Sequence, residues 1–129
     1  AIHNHPKPSR YWDPAVVLQA IEKADSPFVG ACADIGHWVR SGLDPVKALQ
    51  DLEGHVFSLH LKDLKEKSKD THDVHWGTGV ANTEGVIKEL MRQNFKGNIS
   101  AEYEYNWKNN VVDVRQSVQN FRAILNNLL

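Results

Sequence analysis

VGACADIGHWVRSGLD, running from Val29 to Asp44, reads as a buried strand whose polar residues all arrive at its C-terminal end. Small apolar residues before Asp34 suit a strand covered on both faces, and in α/β folds the loop after such a strand carries chemistry. Asp34 and His37 are therefore the first candidate site residues, with Gly36 and Gly42 marking where the loop turns. The chain repeats this plan: an apolar strand, then charged or aromatic residues, then an amphipathic helix.

Upstream, Ala1 to Asn4 reads as a short strand ending in the polar turn HNHP. Asp13-Pro14 is a helix start, an acidic N-cap followed by proline at the first helical position, and the helix runs to about Ala24 with Val16, Val17, Ala20, Ile21 and Ala24 on one face. The central strand spans Phe28 to Asp34. Downstream, Asp44-Pro45 repeats the start signal and opens a helix that turns Val46, Leu49 and Leu52 inward. VFSLHL, Val56 to Leu61, is the third strand and leads into a long polar loop from Lys62 to about Ala81. A helix from about Thr83 to Gln93 carries Val86, Ile87, Leu90 and Met91 on one face. NISAEYE, Asn98 to about Glu104, is the fourth strand, and a last helix from about Val111 has Val114, Val118, Phe121, Leu125 and Leu128 as its stripe.

Four β-then-α units in succession imply a parallel sheet with helices outside, in a single domain over residues 1–129. A closed (βα)8 barrel takes about 250 residues. The predicted fold is thus a parallel (βα)4 half of such a barrel. Its open edges call for completion, by a second copy in a homodimer or by a missing N-terminal half. The start without Met, directly in strand-like AIHNH, fits a longer precursor.

With 41% hydrophobic and 24% charged residues, the 129-residue chain has the makings of one globular core. The net charge of -1 argues against a general binder of nucleic acid or anionic membrane, and acidic residues interrupt the one basic run, Lys62 to Lys69. The single Cys32 cannot form an internal disulfide and reads as a buried inert thiol. No apolar run reaches membrane-spanning length and no signal peptide is present, which leaves the compartment open: cytoplasmic, or exported if an N-terminal part is missing.

In parallel α/β folds ligands bind at the carboxyl ends of the strands. His3 and His5 end the first strand, Asp34 and His37 the second, His60 the third, Glu102 and Glu104 the fourth. Trp12, Trp38, Trp76 and Trp107 each fall in a loop after a strand, none in a helix, and read as aromatic faces of a substrate pocket. Residues two apart on a strand point the same way, so Ser58, His60 and Lys62 share a face, as do Glu102 and Glu104. One Asp, one or two His and one Glu from different strands make a mixed nitrogen and oxygen site for one divalent ion, Mn²⁺, Mg²⁺, Co²⁺ or Zn²⁺. Bland readings stand beside each residue. A single His is often only hydrogen-bonded; Asp34 can cap the turn at Gly36; Glu104 can be solvated or pair with Lys62; the tryptophans can be packing lids. Those explanations must hold on four strands at once.

The motifs ADIGHW, SLHLKD, HWGTGVAN and ISAEYEYN, in this order, resemble the C-terminal half of the xylose isomerase-like TIM barrels, the sugar phosphate isomerase/epimerase superfamily. The resemblance implies a divalent metal held by Asp34, His60 and Glu102, with His3 where the family commonly has a strand-five glutamate. It implies proton abstraction from a sugar or keto-sugar through a metal-stabilised enediolate, an isomerase or epimerase chemistry if the barrel is completed. Family epimerases use two metal-bound glutamates to shuttle the proton, and only Glu102 remains here. His5 or Glu104 then serves as the acid/base partner, or the reaction is a one-base elimination by a lyase or dehydratase on a keto-sugar or inositol-like substrate. His37 resembles the family's substrate-contacting histidine, and Lys62 sits where a cation could stabilise a developing enolate. Two further readings remain: a half-barrel fragment or subunit without turnover, and an endonuclease IV-like hydrolase, against which the balanced charge speaks.

Overall fold

Asp13 and Asp44 each leave the extended conformation by turning a side-chain oxygen onto the first turn of a helix. Asp13 accepts from the Ala15 N–H, and Asp44 from those of Val46 and Lys47, with proline next in both cases. The computed structural model describes residues 1–129, and its elements are β1 (Ile2–His3), α1 (Pro14–Ala24), β2 (Ala31–Asp34), α2 (Ile35–Arg40), α3 (Pro45–Asp51), β3 (Val56–Leu61), β4 (Asp63–Leu64), β5 (Asp73–Val74), α4 (Thr83–Arg92), β6 (Asn98–Ala101) and α5 (Val111–Leu128).

One sheet of order β1-β2-β3-β6 is parallel throughout. Its register sets His3 beside Cys32, Asp34 beside His60, and His60 beside Ser100. The alternation in VFSLHL decides which face is covered: Leu59 and Leu61 are fully buried, while Ser58 and His60 stay partly open. Leu59, Leu61, Ala31 and Ala33 meet Val17, Trp38, Leu49, Leu52, Val86 and Leu90 in the core. The helices thus close one side of the sheet, and the other side, the inside of a barrel, is open. All four residues of β6 are exposed, Ile99 at 38%. No helix is long and apolar enough to cross a membrane.

The elements depart from expectation in five places. Phe28 is 88% exposed, so β2 begins only at Ala31, and β6 ends at Ala101, short of Glu104. The segment after Asp34 is a helix and not a loop, because Asp34 Oδ1 accepts the His37 N–H at 2.8 Å and caps α2. Gly36 lies inside this helix; a Cβ there would stand 2.8 Å from Lys62 Cβ, so only glycine lets α2 rest on that side chain. The stretch from Lys62 to Ala81 is organised by the antiparallel β4–β5 hairpin. The stripe on α5 is only half-buried, and the one fully covered residue of that helix is Ser117, outside the stripe.

Candidate metal centre

β2 ends on a carboxylate with no solvent exposure. Asn4, itself buried behind β1, clamps that strand end: it donates to the Asp34 carbonyl at 2.9 Å and accepts the Asp34 N–H at 2.6 Å. With Oδ1 committed to the α2 cap, Asp34 Oδ2 is left facing a ring of cations and imidazoles. Lys62 Nζ lies at 2.9 Å, His3 Nε2 at 3.4 Å, His37 Nε2 at 3.6 Å and His60 Nδ1 at 3.8 Å. Burial alone would raise the Asp34 carboxyl, but the His3 hydrogen bond and the Lys62 and His37 charges outweigh it and hold it well below the carboxylate range.

His3, Asp34, His60 and Glu102, one at or just after each of β1, β2, β3 and β6, each offer a ligand atom within 4.8 Å of the others. Two imidazoles and two carboxylates suit a divalent ion of the Mn²⁺, Co²⁺, Zn²⁺ or Mg²⁺ group. A direct observation supports the fit. His60 Nδ1 and Glu102 Oε2 are in contact yet lack hydrogen-bond geometry, and neither buried atom has a hydrogen-bond partner, the longer approaches of Lys62 and Asp34 apart. Uncommitted buried donors of this kind are what a metal ion satisfies.

Around this cluster stand two further imidazoles. His5 lies 4.7 Å from His3 between ring centroids and stacks on His37 at 5.1 Å. Burial first, and then the Lys62 and Arg40 charges, push the His37 imidazole down to about 4 against the pull of Asp34. His37 is therefore neutral at neutral pH.

Beneath them runs a buried ionic network. Lys62 Nζ, fully buried, reaches Glu104 Oε2 at 2.8 Å and Glu102 Oε2 at 3.5 Å as well as Asp34. Arg40 donates to the same Glu104 oxygen at 3.1 Å and to Asp73 Oδ1 at 3.1 Å. The Glu104 N–H donates to Asp73 Oδ2 at 2.5 Å. Burial works to lower Lys62, but its carboxylate partners raise it; burial works to raise Glu104, but Lys62 and Arg40 lower it. Asp73 is raised, because its burial exceeds the help of the Glu104 N–H and of Arg40.

This geometry sorts the expected residues. His3, Asp34, His60 and Glu102 converge, with His5 and His37 beside them. Lys62 has no surface from which to touch a substrate, and Glu104 is held by two cations, so both are anchors of the network and not free acid, base or enolate contacts. Trp38 and Trp76 are not pocket walls: Trp38 lies on α2, and at 1% and 4% exposure both belong to the hydrophobic core. Trp12 is half-buried under the Lys7 ammonium, 3.9 Å from the ring centroid, and Trp107 is 73% exposed. Asn4, Arg40 and Asp73 escaped the sequence reading. Arg40 follows His37 by three positions, a helical spacing that becomes informative once α2 is a helix.

A parallel (βα)4 sheet that gathers His, Asp, His and Glu at its strand ends has the architecture of half of a (βα)8 barrel. The chain belongs to the family described as xylose isomerase-like TIM barrel, whose sequence model matches residues 1–124. Among solved structures, it is similar to a D-tagatose 3-epimerase-like protein, with a TM-score of 0.81 and 22% identity over 96% of this chain and 45% of that one. An IOLI protein with a binding zinc atom gives a TM-score of 0.80 at 14% identity, over 100% and 49% of the two chains. A protein from Parabacteroides distasonis is 41% identical over 90% of this chain and 46% of its own, with a TM-score of 0.52. The chain thus spans just under half the length of these structures. Among curated proteins none matches.

Proposed function

We propose that the chain carries the metal-binding half of a divalent-metal-dependent sugar or keto-sugar isomerase or epimerase, with His3, Asp34, His60 and Glu102 as ligands. The convergence of those four side chains at the ends of four parallel strands carries the reading. Similarity to an epimerase-like protein and to a zinc-bound structure adds support. A divalent ion in this position supplies Lewis-acid polarisation of adjacent carbonyl and hydroxyl oxygens, which acidifies the C–H between them. Glu102 is the carboxylate left to take that proton, since Glu104 is bound to Lys62 and Arg40. His5, exposed beside His3 and His37, returns a proton on the other side. Neutral His37 hydrogen-bonds a substrate oxygen, and Trp12 and Trp107 form the rim on which a sugar face stacks. A second copy or an N-terminal half covers the open inner face and the exposed β6 edge.

That only Glu102, of the two glutamates, is free of the Lys62–Arg40 clamp also favours a second reading, a one-base lyase or dehydratase on a keto-sugar. One experiment separates the two. The protein is loaded with Mn²⁺ and incubated with a panel of keto-sugars in D₂O, followed by proton NMR. Epimerase or isomerase chemistry introduces deuterium at the carbon next to the carbonyl and yields a stereoisomer or positional isomer; lyase chemistry yields an unsaturated product. Both are lost in Glu102→Gln. Neither signal, in protein shown to hold the metal, contradicts the proposal.

A further inference from the structure

Cys32 is the only cysteine in the chain, and the structure does not bury it as an inert thiol. It lies two residues before Asp34 on β2, so its side chain points to the same open inner face, and its register partners are His3 on β1 and Ser58 on β3. Its sulfur and one ring nitrogen each of His3 and His60 lie within 4.8 Å of one another. All three residues are partly accessible. The buried Nδ1 of His60 touches Glu102 without forming a hydrogen bond, so this imidazole is not locked onto the carboxylates.

We infer that His3, Cys32 and His60 form a second, thiolate-containing metal site that takes a soft divalent cation. A thiolate with two imidazoles selects cadmium or zinc over magnesium or manganese, which favour carboxylate oxygen. In binding, the S–H bond breaks, its proton leaves to solvent, and a sulfur–metal bond replaces one metal-bound water; no electron is transferred. Water fills the fourth position of the tetrahedral set. Because the two imidazoles are shared with the carboxylate-bearing centre, the sites exclude each other. Hard cations occupy the upper set with Asp34 and Glu102, and a soft cation settles one step down the barrel interior, taking both histidines with it. The inference uses the same histidines as the proposed metal centre but is independent of the reaction assigned to it.

With a single cysteine, any thiolate signal reports Cys32. Chelator-treated protein is titrated anaerobically with cadmium chloride while the ultraviolet thiolate-to-cadmium charge-transfer band is followed. The wild type develops the band and saturates at about one equivalent. Cys32→Ser shows no band, and Glu102→Gln keeps it, as does Asp34→Ala if that variant retains its circular dichroism. His3→Ala and His60→Ala each weaken cadmium binding, which separates a built site from a thiol acting alone. Mn²⁺ bound beforehand, counted by electron paramagnetic resonance, is released as the band grows. Cadmium bound without the band, or a band indifferent to both histidine variants, overturns the inference. Failure of the manganese centre would instead appear as Mn²⁺ that never binds, with the cadmium band intact.

Discussion

Arg40 Nη1 lies 3.3 Å from His37 Nδ1, across one turn of α2. A guanidinium has donors only, so His37 Nδ1 accepts and the imidazole proton resides on Nε2. That nitrogen faces Asp34 Oδ2 at 3.6 Å, next to the candidate ligands. Arg40 in turn is fixed by Asp73 from the β4–β5 hairpin and by Glu104 beyond β6. The far hairpin thereby sets which nitrogen of His37 presents a hydrogen to the site.

Replacing Arg40 with Met frees His37 Nδ1 and leaves Asp73 and Glu104 short of a cation. Nitrogen-15 NMR of the wild type should show an unprotonated Nδ1 and a protonated Nε2; in Arg40→Met the two tautomers should mix. An unchanged His37 signal in the variant contradicts the tautomer assignment.

The His37 imidazole titrates at about 4 in the folded chain against 6.5 as the ordinary value. Between those values the unfolded chain binds a proton that the folded chain does not, so stability is full above the upper value, falls as the pH drops and levels off below the lower one. The loss amounts to about 3 kcal/mol over the window. Urea unfolding of metal-free protein at neutral pH and near the lower value should show it, and His37→Gln should lose less over the same interval. An equal loss in both proteins contradicts the shift.

Asp63 organises the segment from β4 to α4. Its buried carboxylate accepts the N–H groups of Leu64, Gly77, Gly79 and Ala81 and the Thr83 hydroxyl. Asp63→Ala removes this shared acceptor, leaving Gly77 only the Thr83 hydroxyl, at a cost of about 2 to 4 kcal/mol. Hydrogen exchange at Gly77, Gly79 and Ala81 should accelerate far more than in β2 or β3. Uniform acceleration contradicts a local role.

What was legible in the sequence was local chemistry. Asp13-Pro14 and Asp44-Pro45 begin helices because the cap lies within the first turn, and VFSLHL shows its covered face through alternation alone. Placing polar residues at parallel strand ends brought His3, Asp34, His60 and Glu102 among the candidates, and the family resemblance singled these four out. α2 was missed because Gly36 reads as a turn; the helix exists through the Asp34 cap and the close seat of Gly36 on Lys62. That one error carried Trp38 from core to pocket and hid Arg40. The Arg40, Asp73 and Glu104 contacts join residues far apart in sequence, and no local pattern encodes them.

His3, Asp34, His60 and Glu102 are proposed to hold one metal ion. Elemental mass spectrometry on protein purified without chelator tests it most directly, alongside Asp34→Ala and His60→Ala variants that retain their circular dichroism. About one divalent ion per chain in the parent, lost in His60→Ala and, where the ion is the hard Mn²⁺, in Asp34→Ala as well, is the predicted result. No metal in the parent, even after incubation with Mn²⁺, Co²⁺ and Zn²⁺, or metal retained in both variants, would contradict it.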